Sequence, residues 1–126
     1  MLSEWMSVFA GKMCIMLAKK GANVNAKDRL FGETPLHKAV RSNAIDCVSA
    51  LIRLRADINA VDSASNDTAL HKAAGLPHVD RSIWNALLVA RAKVDIQNLD
   101  GMTPSDKAQR TKNVMAIALL RAYEQW

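Results

Sequence analysis

The histidines and cysteines are the side chains of this sequence that could catalyse a reaction or bind a metal. His37 and His71 stand out, because each lies in the same short motif, Leu-His-Lys-Ala. Catalysis and metal binding need different side chains that converge on one point, whereas these two histidines recur at one repeated position. His78, Cys14 and Cys47 lack metal-ligand spacing to either of them. The pattern predicts structural histidines, with no catalytic residue, metal site or cofactor.

Motifs that would indicate an enzyme are missing from the sequence. It has no glycine-rich phosphate loop, no H-E-x-x-H, no G-x-S-x-G and no C-x-x-C. Its 126 residues are 50% apolar and 23% charged, which is typical of one globular domain. Aromatic residues are few, and the abundance of Ala, Leu, Val, Ile and Met favours helices packed on helices. We therefore expect an all-α, non-enzymatic protein.

Charge and cysteine usage restrict the class of protein further. A net charge of +5 favours anionic partners without naming one. Cys14 and Cys47 lie within apolar helical patterns, so the sequence predicts buried thiols and a reducing compartment. Residues 5–18 are too short to span a bilayer and lack the features of a signal peptide. The expected location is intracellular, cytoplasmic or nuclear.

An internal repeat organises the whole chain. The segment GETPLHKAV (Gly32–Val40) recurs 34 residues later as NDTALHKAA (Asn66–Ala74), and a weaker copy, GMTPSDKAQ, spans Gly101–Gln109. A second set, KKGANVNAKD, RLRADINAVD and VARAKVDIQN, recurs in the same phase between those copies. Two unrelated features in one phase are typical of stacked repeats, in which neighbours bury each other's apolar faces.

Each unit predicts two short helices joined by a turn. Thr34 and Thr103 precede prolines, as an N-cap precedes proline in the first helical turn, and Thr68 precedes an alanine. Asn43 can take the left-handed conformation that ends a helix. The predicted core residues of the first complete unit share helical spacing. They are Leu36, Ala39 and Val40 in the first helix, and Ile45, Val48, Leu51 and Ile52 in the second.

These segments resemble the ankyrin repeat family, whose pattern is a turn, then T-P-L-H-x-A-A, then V-x-x-L-L-x-x-G-A. The match includes Thr34–Ala39 and the segment Val48–Ala56, and the resemblance extends over residues 13–122. It implies an ankyrin-type α-solenoid of stacked helix-turn-helix repeats with projecting loops. The expected units are an N-terminal cap or partial repeat (1–27), a repeat (28–61), a repeat with an insertion (62–97) and a C-terminal repeat (98–126).

The chain also departs from the family pattern. The loops 28–33 and 62–67 are one residue longer than usual. Arg55 and Arg91 replace the glycine that usually ends the second helix, which predicts backbone strain. About two extra residues lie within 75–80, where Pro77 prevents simple continuation of the helix. We expect altered local shape at these places within an unchanged family fold.

The resemblance implies a scaffold that binds a protein partner through its loop tips and concave helix face. It also implies that His37 and His71 hydrogen-bond the backbone near their turns. Leu30 and Phe31 either pack against neighbouring loops or anchor the partner, and the sequence leaves both open. We expect a monomer without membrane insertion. The predicted contact residues are Arg29, Leu30, Phe31, Glu33, Arg41, Ser42, Ser63, Ala64, Asp67, Leu99, Asp100 and Met102.

Two other functions are compatible with the sequence. The chain could be a regulatory segment of a larger enzyme or adaptor, which missing motifs do not exclude. It could also bind an anion or nucleic acid through a basic stripe at the ends of successive second helices. No aromatic residue interleaves that stripe, which disfavours nucleic acid. The stripe consists of Lys19, Lys20, Arg53, Arg55, Arg91 and Lys93.

Overall fold

A computed structural model describes residues 23–124, and this part of the chain contains six α-helices and no strand. The helices alternate between two layers, which we call inner (α1, α3, α5) and outer (α2, α4, α6). Inner helices pack on inner helices and outer helices on outer ones, which forms a stack of helix pairs. The helices are α1 Pro35–Arg41, α2 Ile45–Arg53, α3 Ala69–Ala74, α4 Arg81–Val89, α5 Pro104–Arg110 and α6 Val114–Glu124.

The predicted threonine caps begin all three inner helices. The Thr68 hydroxyl accepts a hydrogen bond from the backbone N–H of His71 at 3.3 Å, while the Thr68 N–H donates to the imidazole Nδ1 at 3.0 Å. Thr103 and Asp106 form the same reciprocal box in the third unit, with the carboxylate in place of the imidazole. Each box satisfies backbone groups that helix formation leaves without partners.

Left-handed residues end several helices, as the sequence predicts for Asn43, Arg55 and Arg91. Their φ angles are 55°, 64° and 66°, and Lys112 takes the same conformation after α5. A side chain other than glycine costs about 1–2 kcal/mol in this region, so the stack tolerates strain at each turn. The expected strain at the two arginines is confirmed.

The core lies between the two helical layers. Leu36, Leu70 and Leu87 are fully buried, and so is Trp84 in α4. The predicted core residues of α2 behave similarly: Val48 and Leu51 are buried, and Ile45 and Ile52 are partly buried. Apolar burial at these positions holds successive units together, because a single unit cannot bury the apolar faces of its helices alone.

The middle unit contains the expected insertion between its helices. Three residues connect α1 to α2, whereas residues 75–80 connect α3 to α4. Asp80 ends this longer connection by capping α4, since its carboxylate accepts a hydrogen bond from the N–H of Ser82 at 3.3 Å. The Asp80 N–H donates to the side-chain oxygen of Asn43 at 2.8 Å, which ties the insertion to the preceding unit.

Cys47 corrects one expectation. It is buried in α2, but it is disulfide-bonded rather than a free thiol. An apolar helical pattern predicts burial and does not distinguish a thiol from a half-cystine, which is why the prediction was wrong here. The expected Cys14 thiol and the lysines of the basic stripe at 19 and 20 lie outside the described residues. The intracellular location therefore loses the support of a free Cys47 and stays a prediction.

Candidate partner-binding face

Three hairpin-like loops precede the inner helices, and backbone hydrogen bonds close each one. The N–H of Asp28 donates to the carbonyl of Glu33 at 2.9 Å, and the N–H of Asp62 donates to that of Asp67 at 3.0 Å. In the third loop the N–H of Asn98 donates to the carbonyl of Met102 at 2.9 Å, so this loop is one residue shorter than the other two. We call these segments loop 1 (28–33), loop 2 (62–67) and loop 3 (98–102).

An acidic side chain organises the interior of loops 1 and 2. One carboxylate oxygen of Asp28 accepts the N–H groups of Phe31 and Glu33, and Asp62 accepts those of Ser65 and Asp67. The hydrogen bond from the Phe31 N–H and the nearby Lys38 ammonium hold the pKa of Asp28 well below its usual value. Burial alone would raise the pKa of Asp62, but Lys72 and the backbone donors lower it to about 2. Both carboxylates therefore stabilise their turns as anions.

The loops also bond to one another. The N–H groups of Ser63 and Ala64 donate to the carbonyl of Phe31 at 3.0 and 3.1 Å, and the Leu99 N–H donates to the Ser65 carbonyl at 2.9 Å. Gly32 makes the first contact possible, since it has a φ of 66° and its missing Cβ would lie 2.8 Å from the Ser63 backbone nitrogen. The three tips are thus held in one row.

Apolar side chains at these tips are accessible to solvent. Leu30 is 84% exposed, Phe31 is 51% exposed and Leu99 is 64% exposed, while Met102 is partly buried. Of the other predicted contact residues, Arg29, Arg41, Ser42, Ser63, Ala64 and Asp100 are also exposed. These side chains, together with the inner helices behind them, form what we call the loop face.

Burial corrects the predicted contact surface at Glu33 and Asp67. They are 1% and 3% exposed, and their carboxylates take part in ion pairs behind the tips. Sequence position placed them in projecting loops correctly, but each is the last residue of its loop and is buried there. The prediction that these two side chains form part of an exposed contact surface is therefore wrong.

His37 and His71 hydrogen-bond the backbone near their turns, as the resemblance implies. Each buried ring accepts a threonine N–H at Nδ1 and donates from Nε2 to a carbonyl of the following loop. His37 reaches Asp67 and His71 reaches Met102, both at 2.8 Å. Burial lowers the pKa of both imidazoles, which keeps them neutral with the proton on Nε2. Each histidine therefore joins one unit to the next.

Ion pairs behind the loops connect the units further. The lysine at the same position in each of the three motifs pairs with a loop carboxylate. The sequence pattern did not predict this role, although the lysine recurs with the repeat. Lys38 lies 3.0 Å from Asp28, Lys72 lies 2.8 Å from Asp62, and Lys107 lies 2.8 Å from Asp67. The third pair crosses between units, because Asn98 occupies the position that holds aspartate in the first two loops.

Two concave regions lie on the surface of the described residues. A small cleft of about 200 Å³ lies between loops 1 and 2, with Phe31 and Ala64 at its apolar side and Glu33 and Arg41 at its polar side. A wider groove of about 650 Å³ lies at the other edge, between the end of α4 and the end of α6, and Arg91, Lys93 and Tyr123 line it. Only the small cleft belongs to the loop face.

The described part of the basic stripe lies along that other edge. Arg53, Arg55, Arg91 and Lys93 are exposed at the ends of α2 and α4. Hydrogen bonds between the turns keep successive units in register: the Asp57 N–H donates to the Asn25 side chain. Positive charge at the end of a helix offsets the helix dipole, which accounts for these residues without a ligand.

Residues 23–124 contain neither a metal-binding cluster nor a helix suited to crossing a membrane. No group of three or more His, Cys, Asp or Glu side chains in that range is arranged to hold a metal ion. None of its helices has the length and apolar character that crossing a membrane requires.

Stacked helix pairs with loops projecting from one side define a helical repeat protein. Residues 5–98 match ankyrin repeats in three copies, and the chain belongs to the ankyrin repeat family. Ankyrin repeats are generally protein–protein interaction modules, and the family is typically non-enzymatic. A search of curated proteins finds no match to this chain.

Proposed function

We propose that this chain holds a protein partner on its loop face, with Leu30 and Phe31 as the central anchors. The exposure of these two apolar side chains on a loop fixed by hydrogen bonds supports the proposal most strongly. An exposed aromatic side chain on an ordered backbone loses little conformational entropy when it binds. Aromatic anchors of this kind commonly supply the largest part of the binding energy at an interface.

The loop face is also suited to a protein segment rather than to a small molecule. The cleft between loops 1 and 2 measures about 200 Å³, whereas pockets for small ligands usually enclose about 300–1,000 Å³. The row of tips offers apolar contacts from Leu30 to Leu99 with polar groups between them. Such a mixture is typical of a protein interface, where an apolar centre lies inside a polar rim.

Selection from a displayed peptide library on the immobilised chain tests the proposal. Peptides that bind should lose affinity by about 2 kcal/mol or more when Leu30→Ser and Phe31→Ser are combined, the scale of an interface hot spot. The matched control, Arg53→Glu with Arg55→Glu, changes the opposite edge and should alter binding only slightly. Binding that survives the loop change and disappears in the arginine control would instead assign the working surface to the basic stripe.

A further inference from the structure

Glu33 and Asp67 end loops 1 and 2, and we call them the base carboxylates. Both are buried, but their surroundings differ. Asp67 accepts a hydrogen bond from the Asn98 side chain at 2.9 Å and lies 2.8 Å from Lys107 Nζ. Glu33 pairs with Arg41, whose Nη2 lies 2.9 Å from Oε1. Arg41 therefore lies against a carboxylate that the protein encloses, while 45% of its own side chain is exposed.

Exposed charges on the loop face of the first two units are positive. Within residues 27–41 and 62–75, each exposed charged side chain is a lysine or an arginine, and the carboxylates are buried or partly buried. Lys38 is paired with Asp28 at 3.0 Å, whereas Arg41 is paired with a carboxylate that solvent does not reach. A partner segment therefore meets cations here before it meets an anion. The exposed cations are Lys27, Arg29, Lys38 and Arg41.

The small cleft brings one of these cations next to an apolar surface. Arg41 and the half-exposed Phe31 both line it. Lys72 lines it too, but its ammonium lies 2.8 Å from Asp62 and its side chain is mostly buried. The Phe31 carbonyl accepts two N–H groups of loop 2, so the backbone on this side of the cleft is fixed. An aromatic ring thus lies beside a guanidinium, a group that has five N–H donors and can serve a further acceptor.

The equivalent position in the other two units is different. Arg41 ends α1, and the same position holds Gly75 in the middle unit and Arg110 in the third. The third unit also exposes two acidic side chains, Asp100 in loop 3 and Asp106 in α5. An exposed guanidinium without an exposed carboxylate near it in the sequence is therefore a feature of the first unit.

We infer that the cleft binds an acidic side chain of the partner segment, a glutamate or an aspartate, beside an apolar side chain that packs on Phe31; this inference rests on the proposed function. A carboxylate accepts two parallel N–H groups from a guanidinium, which is a strong and specific geometry. On the exposed side of Arg41 it approaches the guanidinium more closely than it approaches Glu33, so attraction exceeds repulsion. A cationic side chain would meet Arg41 first and be repelled.

One guanidinium beside an apolar tip favours a protein segment over a polyanion. Proteins that bind nucleic acid through its phosphates contact several phosphates at once with lysines and arginines. Here Lys38 and Lys72 are already paired with carboxylates of the chain. Leu30 and Phe31 occupy the tip that phosphates would approach. The combination suits a peptide that carries an acidic residue next to an apolar one.

Two dipeptides test the inference without a known partner. N-acetyl-phenylalanyl-glutamate amide and N-acetyl-phenylalanyl-glutamine amide have nearly the same shape, but only the first has a charged side chain. Titrated into the isotopically labelled full chain at low salt, the glutamate dipeptide should shift the amide resonances of Phe31, Ala64 and Ser65 in a saturable way. The glutamine dipeptide should bind about threefold or more weakly, the scale of one partly exposed ion pair. The amides of Leu99 and Met102 are the internal control and should not move.

Substitutions assign the effect to its residues. Arg41→Gln should reduce binding of the glutamate dipeptide to the level of the glutamine dipeptide. Arg110→Gln, at the same position in the third unit, is the matched control and should leave both affinities unchanged. Glu33→Gln should bind the glutamate dipeptide as tightly as the original chain or more tightly, because it removes the anion behind Arg41.

The same spectra report whether each variant is folded. If Arg41→Gln does not fold, the double variant Arg41→Gln, Glu33→Gln takes its place, since it leaves no buried charge without its partner. The double variant should show the same loss of preference for the glutamate dipeptide.

The inference is overturned if neither dipeptide binds, if both bind equally, if the shifts lie outside the cleft, or if a folded variant without Arg41 keeps its preference for the glutamate dipeptide. Tighter binding of inorganic phosphate than of the glutamate dipeptide would overturn it too, in favour of a phosphorylated or polyanionic partner. Each of these results leaves the proposed function intact as long as the selected peptides still depend on Leu30 and Phe31. Conversely, peptides that ignore the loop change would reject the proposed function whatever the dipeptides do.

Discussion

Loops 1 and 2 share a backbone design but differ in what their side chains do. Both loops span six residues, and both turn around an aspartate that accepts two N–H groups. Loop 2 has a tip of small residues, Ser63-Ala64-Ser65. The carboxylate of Asp67, at the end of this loop, contacts Asn98 and Lys107 of the next unit. Loop 1 has the exposed Leu30 and Phe31 at its tip and a base carboxylate with a single partner.

This difference separates stabilising groups from groups available for binding. At the centre of a stack, donors from the following unit surround the carboxylate, and the tip lies between two neighbouring loops. Loop 1 bonds through the Phe31 carbonyl to loop 2, which fixes its backbone while its side chains remain exposed. A repeat thus preserves the backbone of each loop, and under the proposed function changes in a few side chains give one copy a binding role.

The largest predicted difference concerns the two base carboxylates. Asp67→Asn should lower the free energy of unfolding by about 3 kcal/mol, because it leaves buried cationic and amide donors without their anion. Glu33→Gln should change it by about 1 kcal/mol or less, since Arg41 is half exposed and can turn toward solvent. Urea unfolding of both variants measures the two values. Equal losses would mean that loops 1 and 2 contribute alike to stability.

Acid should weaken the stack in two stages. His37 and His71 have pKa values below the ordinary 6.5, so the unfolded chain binds protons first and stability falls as the pH drops below about 6.5. Asp62 has a pKa of about 2 against an ordinary 3.8, so its contribution is lost between about pH 4 and pH 2. Melting temperatures measured from pH 8 to pH 2 should show both stages. The double variant His37→Gln, His71→Gln should lose the first stage and keep the second.

Two glycines test how closely loop 1 contacts loop 2. Gly32→Ala should destabilise the chain by about 2 kcal/mol or more, because a left-handed alanine is strained and its Cβ meets Ser63. Gly101 has a φ of 74°, and a Cβ there would meet nothing within 4 Å, so Gly101→Ala should cost only about 1 kcal/mol. Thermal unfolding of the pair measures the difference. Similar losses in the two variants would show that the contact between loops 1 and 2 does not contribute to stability.

The smallest predicted stability effect belongs to the tip of loop 1. Combined Leu30→Ser and Phe31→Ser should change the free energy of unfolding by no more than about 0.5 kcal/mol, as is usual for exposed side chains. Urea unfolding of the variant beside the original chain checks this. A loss of several kcal/mol would make Phe31 a core residue, and the contrast between a stabilising loop 2 and a binding loop 1 would be wrong.

Local spacing and the repeat period were enough to predict the helical architecture. Thr68 followed by His71 specifies a helix start within four residues, and Leu36, Ala39 and Val40 specify one buried face of α1. The left-handed turn at Arg55 also followed from its position in the repeat. These features depend on residues close in the chain or on a register that the sequence displays directly, so no long-range contact had to be known.

Tertiary structure decided which loop residues are accessible and which are buried. Glu33 and Asp67 are both acidic loop residues in the sequence, and only the folded stack shows that they are buried. The partnership of Lys107 with Asp67 joins residues 40 positions apart, and the disulfide state of Cys47 likewise depends on a spatial neighbour. Ion pairing and burial depend on distances between units, and a one-dimensional pattern of residue types does not contain those distances.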